Sequence, residues 1–124
     1  SSVILITAQR LARRLCSCKK AVDIPLQALV EAGFEPEELD GSWEPMGPVG
    51  CERCKGSGYK GRVGIYQVMP ISEEIARIIM TGGNSMDIAA QARREGVLDL
   101  RQSGLRKVRQ GITSLEEVLA TTNE

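Results

Sequence analysis

The chain has 124 residues, the size of one ordinary domain, with 16 basic residues against 16 acidic ones and no histidine. Net neutrality excludes an overall field drawing it to nucleic acid or anionic lipid, so any electrostatic partner has to be met by a local patch. One Phe, one Trp and two Tyr make a thin stock of large core residues, and a staple other than packing is expected.

No run approaches the roughly 18 apolar residues of a membrane span, and no signal-peptide succession is present. The chain therefore reads as cytoplasmic and not inserted in a membrane. It starts with Ser, and residues 3–15 already read as the middle of an ordered element, which suggests a piece of a longer protein.

Ile4, Ala8, Leu11 and Leu15 recur at intervals of four, three and four, the period of one helical face, with Arg10, Arg13 and Arg14 mostly off it. An amphipathic helix ending near Cys16 is expected, its arginines solvating the free side. Asp23 is placed to cap a short helix from Pro25, carrying Leu26, Leu29 and Val30 and ended by Gly33; another turn is expected at residues 36–39. Residues 40–50 hold prolines and glycines and read as loop. Val63, Ile65, Tyr66 and Val68 within residues 62–69 read as the one convincing strand, bounded by Pro70.

The remainder reads as helical. Ser72 with Glu73 and Glu74 opens a helix that Gly82 closes, Ser85 opens one that Gly96 closes, and Asp99 opens one that Gly111 closes. Ser114 and Glu117 have the spacing of a capping box before Val118 and Leu119. The expected fold class is mainly α with a short β element, built around a tetracysteine insert.

Cys16, Cys18, Cys51 and Cys54 form two tight pairs. In a reducing compartment such pairs point to a metal rather than to disulfides. Zinc favours a tetrahedron of thiolates, and two turns that each present two cysteines complete one. Cys51 and Cys54 have the usual two-residue gap; Cys16 and Cys18 are one residue closer. The alternatives are four ordinary buried thiols or redox pairs, but a redox Cys-x-x-Cys belongs at a helix start, whereas Cys51 follows a loop. Four thiolates around one zinc carry a formal charge of minus two, which Lys19, Lys20, Arg53, Lys55, Lys60 and Arg62 are placed to offset.

Residues 56–63, GSGYKGRV, nearly fit a nucleotide-binding glycine loop, but Arg62 and Val63 stand where Lys and Ser or Thr are needed, and a strand follows instead of a helix. With no histidine there is no Ser-His or Cys-His dyad. The carboxylate pairs Glu37/Glu38, Glu73/Glu74 and Glu116/Glu117 sit at helix starts, where the dipole favours them. No catalytic residue is assigned. A nucleic-acid-binding zinc ribbon is disfavoured by neutrality and by the lack of aromatics near the cations. A DnaJ-like module is disfavoured because residues 51–58 supply one Cys-x-x-Cys-x-Gly-x-Gly unit where that family stacks several.

Taken in order, AQRLARRLC, CERC, GSGYKGRVGIYQVM and GITSLEEVL resemble the C-terminal part of type IV pilus assembly ATPases of the PilB kind, relatives of the type II secretion ATPases. The resemblance implies residues 1–15 as the last helix of an ATPase core, residues 16–61 as a zinc-binding subdomain, and residues 62–124 as a strand and C-terminal helices. It implies Cys16, Cys18, Cys51 and Cys54 as zinc ligands, with ATP and Mg held only in an upstream core. It further implies a homohexamer at the cytoplasmic face of the inner membrane, working with a pilus platform protein and open to a PilZ-type regulator, without nucleic acid. Contact of Arg10, Arg13 and Arg14 with nucleotide or a neighbouring subunit stays open.

Overall fold

The computed structural model describes residues 4–122. Its first element overturns the opening expectation: Ile4–Leu15 is a β-strand, β1, and it pairs antiparallel with an equally long strand, β4, at Tyr59–Pro70. The expected mainly α fold class is therefore wrong. The chain combines a two-stranded sheet of 12-residue strands with five α-helices among the described residues.

The reason lies in β4. Ala, Gln, Leu and Arg are good helix formers, yet the β-branched strand at Tyr59–Pro70 offers a full-length ladder, with Ala12 opposite Val63, Arg10 opposite Ile65 and Ala8 opposite Gln67. Propensity yields to that pairing. A strand turns alternate residues to opposite faces, so Ala12 and Ile65 are buried while Leu11, assigned to the apolar helical face, stands 61 % exposed.

Between β1 and β4 lies the cysteine insert. Its ends are drawn together by a two-residue ladder of β2 (Lys20–Ala21) with β3 (Met46–Gly47). Helix α1 (Leu26–Ala32) starts after Pro25 and ends at Gly33, as expected, but Pro25 occupies the N-cap and no side chain caps it, so Asp23 lacks its assigned role. A single 3-10 turn follows at Pro36–Glu38.

The four later helices are α2 (Glu73–Met80), α3 (Ser85–Arg94), α4 (Leu100–Arg109) and α5 (Leu115–Thr121). Their caps follow the rule that a short polar side chain accepts from a free N–H of the first turn. Ser72, Asp99 and Ser114 do so as expected. Asn84, one residue before the expected Ser85, caps α3 and forms a reciprocal box with Asp87.

One core joins these parts. Ala12 and Ile65 of the sheet, Leu105 and Val108 of α4, Val118 of α5, and Leu29, Ala32 and Phe34 of the insert pack together. The insert is thus anchored in the main core through α1. A smaller cluster of Met69, Ile75 and Ala92 holds α2 and α3 at the far end of β4.

Candidate metal centre

The first turn of the site leaves β1 directly. Leu15 is the last ladder residue, Cys16 follows, and Lys19 N donates to Cys16 O at 3.0 Å to close a turn that carries Cys18. Because Cys16 opens this turn and Cys18 lies within it, a one-residue gap suffices to bring both sulfurs to the site. The second turn is a knuckle in which Lys55 N donates to Glu52 O and Gly56 N to Cys51 O. Lys55 has φ of 57°, a left-handed conformation uncommon outside glycine.

The four sulfurs lie within 4.8 Å of one another. Separations are 3.7 Å for Cys16 to Cys51, 3.9 Å for Cys18 to Cys54 and 3.8 Å for Cys51 to Cys54. A zinc–sulfur bond of about 2.3 Å in a tetrahedron requires an edge of about 3.8 Å. The quartet therefore has the spacing that one zinc ion needs. All four cysteines are free thiols. Cys16 and Cys54 are buried, while Cys18 and Cys51 are half-buried.

Backbone donors reinforce the arrangement. Cys54 Sγ accepts from Cys51 N at 3.2 Å and Gly58 N at 3.1 Å, and Cys18 Sγ accepts from Gly50 N at 3.4 Å. Burial pushes the Cys54 thiol up, but these N–H groups, with the Cys51 and Cys18 thiols, outweigh it and bring it down to about 6. The Cys16 thiol is also lowered, chiefly by the Cys18 backbone N–H. At Cys18 the Gly50 N–H works downward, but burial and the neighbouring sulfurs prevail and the thiol is raised. Metal ligation needs thiolate, so the donors favour the form that binds.

Gly58 belongs to the glycine-rich run whose fit to a nucleotide-binding loop is misleading. Its φ is 83°, and a Cβ there would stand 2.3 Å from Pro48 Cβ and 2.9 Å from Pro48 Cα. Only glycine brings this N–H against Cys54. The sequence signal was available, since Gly56 and Gly58 follow the second knuckle at alternate positions.

The nearby cations divide. Arg53 Nη1 donates to Ser17 Oγ at 2.5 Å, linking the two turns, and Lys60 Nζ reaches Arg53 O at 3.4 Å. Lys19 turns away, donating at 2.5 Å to Gly111 O beyond the end of α4, where a cation complements the helix dipole. Of the three β1 arginines, Arg13 bonds Glu117 of α5 and lies 4.1 Å from the Tyr59 ring centroid. Among the described residues Arg10 bonds only the neighbouring Gln9 O, and Arg14 is exposed. Glu117 does not close the expected capping box; its side chain goes to Arg13.

No helix among the described residues is long and apolar enough to cross a membrane. Residues 1–120 match the family of type II/IV secretion system proteins. The chain is 56 % identical to the type IV pilus assembly ATPase PilB of Pseudomonas aeruginosa and 53 % identical to that of Acinetobacter baylyi, covering 100 % of this chain and 22 % of each relative. It is 35 % identical to the type II secretion system protein HxcR of Pseudomonas aeruginosa, again over 100 % of this chain and 22 % of the relative. The chain thus spans about a fifth of the length of these curated relatives. The placement at the C-terminal end of such an ATPase is withdrawn along with the helical fold class to which it was tied.

Proposed function

Because this chain belongs to the type II/IV secretion system protein family, on the PilB side of it, we propose that it is the zinc-clamped structural and docking module of a motor that powers pilus assembly. The observation that carries the zinc is the tetrahedral spacing of Cys16, Cys18, Cys51 and Cys54. Bound there, zinc supplies a redox-inert cross-link between the turn after β1 and the knuckle before β4. The cross-link closes the insert of residues 16–61 at its base, and Leu29 and Phe34 seat its top in the main core.

On this reading residues 1–15 belong with the motor's core, Ile4–Leu15 being a strand of it, and residues 62–124 carry most of the second strand and the later helices. ATP and Mg are handled by parts of the full protein outside these 124 residues, and no residue of this chain is assigned to hydrolysis. The whole protein is a homohexamer at the cytoplasmic face of the inner membrane, meeting a pilus platform protein and open to a PilZ-type regulator.

The zinc is tested by elemental analysis of the purified chain beside its melting curve. One zinc per chain is expected, and chelation or Cys51→Ser removes it and lowers the melting temperature. Structural zinc contributes roughly 10–16 kcal/mol in small fingers, comparable with a whole domain's stability. A chain without metal, or a Cys51→Ser variant that melts like the parent, overturns the reading.

A further inference from the structure

Charge is neutral in sum but not in distribution. Nine of the 16 basic residues lie up to Lys20 or between Arg53 and Arg62. Between Ala21 and Gly50 there are seven acidic side chains and no basic one. The insert is therefore an electronegative lobe above a basic foot.

That lobe also carries apolar surface which the core leaves uncovered. Leu26 is 66 % exposed, Val30 44 % and Val22 39 %. Leu26 and Val22 line a hollow of about 390 Å³ together with Leu39 and the half-buried Trp43, and the exposed Asp23 and Glu44 complete its wall. Asp23 and Glu44 have no hydrogen-bond or ion-pair partner among the described residues. Trp43 is held in place, its Nε1 donating to Glu38 O at 2.6 Å and its ring 4.9 Å from that of Phe34. The hollow is thus preformed.

Glu38 is paired with Arg109 of α4 at 3.3 Å, and the lobe's acids do not gather around a metal ion. Among the described residues, the cysteine quartet is the only group of three or more Cys, Asp or Glu side chains close enough to share an ion. Dispersed negative charge around an apolar hollow suits an elongated partner with apolar anchors and flanking cations.

We propose that this hollow receives an amphipathic basic segment of a partner protein, its apolar face against Leu26, Val22 and Trp43 and its Lys or Arg side chains facing Asp23 and Glu44. The proposal rests on the reading of the insert as a docking module and names the chemistry of what docks. An anchor beside a fixed indole in an apolar hollow supplies affinity, and the surrounding charge supplies orientation and rate.

Trp43 is the only tryptophan, so its emission reports on the hollow. The probe is a synthetic helical peptide without Trp, with Leu at i, i+3, i+4 and i+7 and Lys elsewhere; a control peptide keeps the leucines and replaces Lys by Glu. The Lys peptide is expected to shift Trp43 emission saturably at one peptide per chain, whereas the Glu peptide leaves it unchanged. Leu26→Asp, and separately Asp23→Lys combined with Glu44→Lys, are each expected to weaken binding on the order of tenfold, as is 0.5 M salt in place of about 0.1 M. All these side chains are exposed, so the variants should melt like the parent. Equal binding of the two peptides, or parental affinity in both variants, overturns the proposal. Zinc content measured on the same samples separates the two readings. A zinc-loaded chain that ignores the Lys peptide defeats the docking chemistry alone, and a zinc-free chain that binds it defeats the clamp alone.

Discussion

Arg13 on β1 and Glu117 on α5, 104 residues apart in sequence, form an ion pair whose carboxylate is nearly buried. The guanidinium lies against the Tyr59 ring, and Tyr59 Oη shares a 2.8 Å hydrogen bond with Ser114 Oγ, the cap of α5. Nearby, Thr113 Oγ1 donates to Arg13 O at 2.7 Å and Leu15 N to Ile112 O at 2.8 Å. The start of α5 is therefore fastened to the strand that delivers Cys16. The Glu117 bond is also the leading cause of the raised Arg13 pKa.

Removing Arg13 strands a carboxylate whose side chain is only 9 % exposed. A hydrogen bond to a charged group contributes about 1.5–3 kcal/mol, and the 56 % exposure of the Arg13 side chain discounts this to about 1–2 kcal/mol. Urea denaturation should show Arg13→Ala destabilised by that amount, with Arg10→Ala close to the parent. Equal effects at the two positions would mean that Arg13 is merely a solvated cation.

At Gly58 the same logic reaches the metal. Gly58→Ala forces a left-handed alanine into Pro48, and the N–H that supports Cys54 is displaced. Zinc competition against a chromogenic chelator should show affinity lowered on the order of tenfold to a hundredfold, the range found when outer-shell partners of a ligand are lost. Gly56→Ala is the comparison: its φ of 82° carries strain, but nothing lies within 4 Å of the added methyl. If Gly56→Ala harms zinc binding as much as Gly58→Ala, then backbone strain and not the Cys54 contact is responsible.

How legible these features were in the sequence depends on how local their causes are. The caps at Ser72, Asp99 and Ser114 were readable because each is decided within one turn, and the cysteine quartet because its spacing encodes its chemistry. Strand β1 was not readable. The four-three-four recurrence of Ile4, Ala8, Leu11 and Leu15 is a helical pattern in helix-forming residues, and what defeats it is a partner strand more than forty residues further on. Glu117 misled in the same way: the Ser114 spacing predicts a local box, and the side chain is taken by an arginine at the other end of the chain.

The Cys54 thiol, lowered to about 6, gives the metal-free chain a pH dependence with a definite sign. An acid whose folded pKa is depressed adds stability that is fully present above its unfolded value, about 8.5 for a thiol, and lost as pH falls through its folded value. After chelation, the melting temperature should rise between pH 6 and about 8.5. The raised Cys18 thiol opposes any further rise at higher pH. Cys54→Ser should flatten the rise; an unchanged slope would place its origin elsewhere. Zinc affinity should likewise weaken as pH falls, because protons compete with the metal for thiolates, first at the raised Cys18 and last at Cys54.

Gly104 sits in α4 where an alanine would ordinarily help, since glycine costs a helix interior about 1 kcal/mol. Here a Cβ would lie 2.7 Å from Val118 Cγ1 and 3.3 Å from Ile65 Cδ1. Both neighbours are fully buried, Val118 at 0 % and Ile65 at 1 %, so neither has room to give way. Overpacking of this kind costs about 1–3 kcal/mol, more than the helix gains, and Gly104→Ala should destabilise the chain by about 1 kcal/mol or more. Val118→Ala alone opens a cavity in the same place and also destabilises. Combined, the new methyl partly fills the space the valine vacates, so the double variant should be more stable than the summed single effects by about 1 kcal/mol. Strict additivity, or a Gly104→Ala chain that melts above the parent, would show that α4 does not approach β4 and α5 as closely as the shared core requires.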